Sequence, residues 1–325
     1  MSVKVGIVGG AGYTAGELLR LLVNHSEVMI DFIYSTSNAG NAIGKVHQDL
    51  IGQSLTFSSE VHTDVDVVFL CLGHGHSKSF LEKHSFSSST KIIDLSNDFR
   101  LQPDAQFMGR EFVYGLPELQ KNKIKKAHNI ANPGCFATAI QLALLPLTAN
   151  NLVKDAIHIQ AVTGATGAGA SLSETTHFAW RDNNFSYYKP FTHQHLGEIE
   201  QSLKQLQSGF DYDVNFMPYR GNFSRGIFAT AYTKFDGSVD QAKDLYKEYY
   251  RQAAFTLVSD EPLHLKQVVN TNNCFLHIHK YQDKLLITSV IDNLLKGASG
   301  QAIENMNLML GFFEDEGLQL KANYF

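Results

Sequence analysis

Cysteine is scarce. Three thiols in 325 residues cannot build a disulfide framework, which excludes the small stapled folds of secreted proteins and leaves each thiol open to chemistry. A charge excess is missing too. Lys and Arg total 27 against 32 Asp and Glu, a formal net charge of −5, which offers no footprint for nucleic acid. The one short basic cluster, Lys121–Lys126, is expected to be a solvated loop. Long hydrophobic runs are absent: Val65–Leu72 falls well short of the roughly 20 apolar residues of a membrane span, so no membrane partner is expected. The chain passes from Met1 directly into the strand-like Val3–Val8 with no leader-like segment, so the expected compartment is the cytoplasm. Internal repeats and low-complexity segments are also lacking.

What is present is a globular composition, 44% hydrophobic and 18% charged, in a chain long enough for two domains. Val3–Val8, Met29–Tyr34, Val65–Leu72 and Lys91–Leu95 read as strands, with an amphipathic helix from Glu17 after the first. Strands alternating with helices predict a parallel sheet wound by right-handed crossovers. The texture changes at Asn132-Pro133-Gly134-Cys135. Beyond it, Phe136–Leu147 reads as a buried helix, Ile157–Thr163, Gly226–Lys234 and Leu285–Asp292 as strands, and Gln241–Phe255 as a helix. Thr163–Ala170 must be a loop, and Gly300–Phe313 has helical spacing of Ile303, Met306 and Leu310. The expected architecture is α/β: a Rossmann-type nucleotide-binding domain of residues 1–134 and 298–325, and an α+β catalytic and dimerisation domain of residues 135–297.

Gly9-Gly10-Ala11-Gly12-Tyr13-Thr14 lies between the first strand and the first helix. Glycines there permit a tight turn and let a pyrophosphate approach backbone N–H groups at a helix N-terminus. A glycine triplet alone is a weak signal; its strand-to-helix context is what supports dinucleotide binding over a merely structural turn. The second strand ends Tyr34-Ser35-Thr36-Ser37-Asn38 with no acid to hold the ribose hydroxyls of NAD, and Asp31 comes too early. Ser35 and Ser37 offer hydroxyls to a 2′-phosphate, with Lys45 in reach, so NADP (as NADPH) is the expected cofactor.

Cys135 follows Asn-Pro-Gly and opens a helix. A helix N-terminus favours thiolate, which is both a nucleophile and a leaving group and so suits acyl transfer. Cys71, in an apolar strand, and Cys274, beside Phe275, read instead as buried apolar residues. Among 14 histidines, His193-Gln194-His195 stands out as an acid–base candidate because it precedes a helical first turn at Gly197–Glu200. A His-x-His pair also suits zinc, but no third ligand lies close by in sequence, so no metal is expected.

Seven segments in order make the chain resemble the N-acetyl-gamma-glutamyl-phosphate reductase family, relatives of aspartate-semialdehyde dehydrogenase, over nearly its whole length. They are Gly9–Leu18, Asp94–Leu101, Tyr114–Glu118, Asn132–Cys135, His193–Gln201, Gly221–Gly226 and Lys296–Ala302. Two departures stand out. Gly197 occupies a position that is usually proline, and Ala170-Ser171 follow the glycine loop where the family usually has a basic residue. The second leaves an N-succinyl substrate open beside N-acetyl.

The resemblance implies an NADPH-dependent reduction of an N-acyl-glutamyl 5-phosphate to the semialdehyde plus phosphate, in arginine biosynthesis. Cys135 would carry a thioester, and His195 or His193 the proton. Arg100 and Arg225 are candidate anion clamps for substrate, each of which could equally form a structural ion pair. A homo-oligomer, dimer or tetramer, is implied as well. Two alternatives remain: aspartate-semialdehyde dehydrogenase, and a non-catalytic NADP-binding regulator, which would not need Cys135.

Overall fold

A computed structural model describes residues 2–325. The chain forms two units: residues up to Pro133 together with Ala298–Gln319, and Gly134–Gly297 together with Leu320–Phe325.

In the first unit β1 (Val3–Val8), α1 (Tyr13–Leu22), β2 (Val28–Tyr34), β3 (Val67–Leu70), α2 (Ser77–Lys83) and β4 (Lys91–Asp94) come in order, followed by β5 (Gln106–Phe107), β6 (Arg110–Tyr114), α3 (Pro117–Ile124) and β7 (Asn129–Ala131). Their sheet runs β2-β1-β3-β4-β7-β6-β5 and is parallel except for β5 on β6. Order reverses at β1, between β2 and β3, so the Gly-rich turn lies at the switch point where such sheets bind ligands. All four residues of β3 are buried, as expected for a strand covered on both faces. The core there is closed by Phe99 stacked on Phe112 at 4.0 Å. Lys121 and Lys123 lie on α3 rather than in a loop, and Lys121 pairs with Glu314 at 2.5 Å.

The second unit opens with α4 (Cys135–Ala149), then β8 (Ile157–Thr163), α5 (Phe178–Arg181), β9 (Ser186–Tyr187), α6 (His195–Leu206), β10 (Val214–Arg220), β11 (Ile227–Lys234), α7 (Val239–Tyr249), β12 (Thr256–Ser259), β13 (Cys274–Tyr281) and β14 (Lys284–Ile291). The sheet is mixed, in the order β12-β13-β14-β11-β8-β10-β9. On β8, Ile157, Ile159 and Ala161 are buried while His158 and Gln160 are exposed, so one face is core and the other is open in the monomer. Every residue of α4 from Phe136 to Thr148 is buried. Pro146 has no N–H to offer the Leu142 carbonyl, and the Tyr250 hydroxyl donates to it at 2.5 Å instead.

α8 (Gly300–Leu310) returns to the first unit, where Asn305 donates to the Gly115 carbonyl at 2.8 Å and Ser299 to that of Thr14. It stops three residues before Phe313 because Gly311 adopts a left-handed C-cap, φ 75°. The helix expected over Gln241–Phe255 runs instead from Val239 to Tyr249, and Phe255 already joins the sheet, its carbonyl accepting the Cys274 N–H at 2.8 Å. The last six residues, expected with the first domain, group with the second: Asn323 N–H donates to Val269 at 3.1 Å. No described helix is long and apolar enough to cross a membrane.

Candidate active site

The nucleotide loop lies entirely in the first unit. Gly9 has φ 80°, and a Cβ there would meet the Cys71 carbonyl at 2.5 Å, so only glycine fits. Gly9 and Gly10 spend their N–H groups on the Tyr34 carbonyl at 3.1 and 2.9 Å, which fixes the turn. Gly12 is the N-cap of α1, with no neighbour closer than 3.9 Å to an added Cβ. The first turn of α1 carries no acid, and its amides at Tyr13 and Thr14 have no intrahelical acceptor. That is a fitting cradle for a pyrophosphate. Thr14 turns its hydroxyl onto Cys71, whose thiol burial pushes up to about 12, which disfavours its thiolate. Cys274 is buried, 3.5 Å from the Ser289 hydroxyl.

Ser35 and Ser37 follow β2, both within reach of the Asn38 amide, at 3.5 and 3.0 Å. Asp31 is paired with His62 at 2.6 Å, and Lys45 donates to Asn41. In the Asp94–Leu101 block, Asp98 caps the start of α2 by accepting from Gly75 and Ser77. Arg100 is 5% exposed and donates from Nε to the Asn132 carbonyl at 2.8 Å and from Nη2 to that of Leu95. It braces the backbone leading to the nucleophile motif.

Cys135 is the first residue of α4, half-buried, in the second unit. Gly134, the N-cap, is extended, and its N–H donates to Glu198 Oε2 at 2.9 Å. The helix dipole favours negative charge at this sulfur. Gly297 packs against the same residue: a Cβ there would lie 2.8 Å from Cys135 Cβ. His193 and His195 pack edge to face, 4.6 Å between centroids, and both rings pack on Phe136. The two differ in surroundings. His193 Nδ1 accepts the His195 N–H at 3.3 Å, and burial, then the Lys189 charge, lower its pKa to about 4. It is therefore neutral with its hydrogen on Nε2. His195 begins α6, and its Nε2 lies 3.9 Å from Glu198 Oε1. Among the described residues no three His, Cys, Asp or Glu side chains converge as a metal site requires.

The His193 shift has a stability consequence. Its folded pKa of about 4 lies below the usual 6.5, so between these values the unfolded chain binds a proton that the folded chain refuses. The stability present above pH 6.5 is therefore lost as pH falls, by about 1.4 kcal/mol per pH unit for a fully shifted group. Asp94 acts oppositely: burial raises it from 3.8 to about 6, against hydrogen bonds from Ser77 and Ser96, so its contribution fades as pH rises through 6. Chemical denaturation at pH 7 and pH 5 should show wild type losing more stability on acidification than His193→Gln. Equal losses would mean that His193 is not held neutral.

Arg225 is bound two-pronged by the fully buried Asp292, Nε at 3.0 Å and Nη2 at 3.1 Å. Asp292 also accepts the N–H groups of Asn270, Leu294 and Leu295. Arg225 thus takes the structural option that its sequence left open.

Comparisons with known proteins show the family. A family model described as "Semialdehyde dehydrogenase, NAD binding domain" matches residues 4–127, and one described as "Semialdehyde dehydrogenase, dimerisation domain" matches residues 135–293. The chain is 62% identical to an N-acetyl-gamma-glutamyl-phosphate reductase of Christiangramia forsetii, covering 99% of this chain and 100% of that one. It is 58% identical to that of Flavobacterium johnsoniae over the same shares. The chain belongs to the N-acetyl-gamma-glutamyl-phosphate reductase family. Among solved structures, the fold is shared with aspartate semialdehyde dehydrogenase II of Vibrio cholerae (TM-score 0.74, 15% identity, 96% and 99% of the two chains). It is shared also with the Candida albicans enzyme solved with NADP (0.68, 16%, 95% and 99%). Membership of the N-acetyl-gamma-glutamyl-phosphate reductase family makes the chain an NAD(P)-binding oxidoreductase of α/β fold, as its motifs led one to expect.

Two residues at the site have no role assigned by the motifs. Glu198 was visible only as part of the block after His195, although the i,i+3 spacing places the two on one helical face. Tyr188 is another: burial, then the charge of Cys135, push its hydroxyl up to about 12.

Proposed function

We propose that the chain reduces an N-acyl-glutamyl 5-phosphate to the N-acyl-glutamate 5-semialdehyde and phosphate with NADPH, in arginine biosynthesis. The observation that carries the reading is Cys135 at the head of α4, one residue from an amide held by Glu198, the carboxylate that also lies beside His195. Cys135 Sγ attacks the acyl carbonyl; a C–S bond forms, the C–O bond to phosphate breaks, and phosphate leaves with the electron pair. NADPH, when bound to the first unit, would supply hydride for reduction of the resulting thioester. His195 holds the proton at the carbonyl oxygen and removes it as the C–S bond breaks, so that aldehyde forms and thiolate returns. His193, neutral, orients His195 through its backbone N–H.

Residues 9–14 hold the dinucleotide diphosphate in this reading. Ser35 and Ser37, with no acid between Tyr34 and Asn38, favour NADP over NAD. Arg100 and Arg225 position backbone rather than bind substrate directly, because protein groups already occupy them. The protein works in the cytoplasm as a homo-oligomer formed through the second unit, whose sheet has an open face.

The test follows NADP+ reduction with phosphate and three aldehydes: the semialdehydes of N-acetylglutamate, N-succinylglutamate and aspartate. The expected result is phosphate-dependent NADPH formation with an N-acylated aldehyde, at least about tenfold faster in kcat/KM than with NAD+. Activity with aspartate semialdehyde alone would move the chain to the sister reaction. Folded, NADP-binding protein inactive on all three would leave the regulator.

A further inference from the structure

Several cations in this protein have acids beside them. Arg225 has Asp292, Arg20 has Glu17 and Lys121 has Glu314. Arg181 and Arg220 do not: neither guanidinium has a carboxylate within ion-pair distance among the described residues, although they lie against each other. Arg181 ends α5 and is 6% exposed. Its Nη1 donates to the Arg220 carbonyl at 2.6 Å and its Nη2 to the Ser186 hydroxyl at 3.3 Å. Burial, then the Arg220 charge, lower its pKa. Arg220 ends β10, opposite Ser186 of β9 and Thr163 of β8. The Nε atoms of both arginines and the Thr163 hydroxyl are buried without a hydrogen-bond partner.

Two like charges held together, Arg181 buried and Arg220 half-buried, disfavour each other, and an unpaired buried donor costs more than a paired one gains. An anion entering between them would relieve both penalties. The place adjoins the nucleophile: the Arg220 guanidinium lies 4.8 Å from the Tyr188 ring centre, and Tyr188 in turn feels the charge of Cys135. The neighbouring loop Thr163–Ser171 contributes no basic residue of its own.

We infer that Arg181 and Arg220 form an anion pocket that holds a carboxylate of the substrate while its far end reacts at Cys135. The inference rests on the reductase reading above for the identity of that substrate. Two carboxylates have the right chemistry: the α-carboxylate of the glutamyl group, and the terminal carboxylate of a dicarboxylic acyl arm such as succinyl. Guanidinium binds either two-pronged.

Four aldehydes separate them. 4-Acetamidobutanal has neither carboxylate, its N-succinyl counterpart has only the acyl one, N-acetylglutamate semialdehyde only the α one, and N-succinylglutamate semialdehyde both. Arg181→Met and Arg220→Met should lower kcat/KM by about 10- to 100-fold, mainly through KM, for aldehydes bearing the bound carboxylate. 4-Acetamidobutanal should change by less than about threefold, and the lysine variants Arg181→Lys and Arg220→Lys should recover part of the loss. A uniform loss on all four aldehydes, or a change confined to the KM of phosphate, would overturn the pocket.

A second measurement needs no turnover. Trp180 is the sole tryptophan and adjoins Arg181, so its fluorescence can be titrated with N-acetyl-L-glutamate and N-succinyl-L-glutamate. A saturable change in wild type, displaced at least about tenfold in the methionine variants, supports the pocket even if no aldehyde is oxidised. An identical titration in wild type and variants overturns it even if the reductase reading stands.

Discussion

Cys135→Ala is expected to lower phosphate-dependent aldehyde oxidation by on the order of 10⁴-fold or more, with the protein still folded. The size follows from the bond that is lost. Without sulfur no thioester forms, and the reaction must find a route with no covalent intermediate. Cys135→Ser should fall almost as far, because a hydroxyl is far harder to ionise than a thiol and an ester accepts hydride less readily than a thioester. Stability should hardly change. Cys135 is half-buried at the first turn of α4, alanine is a strong helix former, and the contact with Gly297 involves the Cβ that alanine keeps. Kinetics and thermal melting of the same preparations separate loss of chemistry from loss of fold. Mass spectrometry of wild type incubated with aldehyde and NADP+, with phosphate left out, should show an acyl adduct on the peptide containing Cys135. Activity of Cys135→Ala within tenfold of wild type would remove the thiol from the mechanism.

The parts of this site that were legible in the sequence are those whose geometry is local. The turn from Gly9 to Thr14 declares itself because the chain must reverse between an apolar strand and a helix within a few residues, and only glycine tolerates φ 80° against the Cys71 carbonyl. Asn132–Cys135 declares itself because a proline and a glycine precede a wholly buried helix. What was not legible depends on register and on distant partners. Arg225 and Asp292 are 67 residues apart in sequence, and only the pairing of Ile227 with Ile291 brings them together. Arg181 and Arg220 meet because β9 runs antiparallel to β10 with Ser186 opposite Arg220. Helix ends depend on distant partners too. Gln241–Phe255 has enough apolar spacing to read as one helix, but Thr256–Ser259 gains more by pairing with β13.

In the proposed mechanism the proton goes to His195 rather than His193, and that choice sets the second large expected effect. His195→Asn should lower kcat by about 10²- to 10⁴-fold with little change in KM. In this reading His193 does not substitute: its pKa, lowered to about 4, keeps it neutral at pH 7, and its Nδ1 is occupied by the His195 N–H. His193→Gln keeps an acceptor for that N–H and should cost less than about tenfold. Glu198 acts on both partners at once, since one oxygen takes the Gly134 amide beside the nucleophile and the other lies 3.9 Å from His195 Nε2. That distance is too long for a hydrogen bond but short enough for its charge to stabilise the imidazolium. Glu198→Gln keeps the acceptor for Gly134 and removes only the charge. It should therefore lower kcat by roughly tenfold and move the His195 limb of the pH–rate profile to lower pH, since the protonated ring loses its counter-ion. A merely structural Glu198 would change stability and leave the pH limb where it is. If His193→Gln instead shows the large loss and His195→Asn the small one, the proton passes through His193 and the assignment reverses.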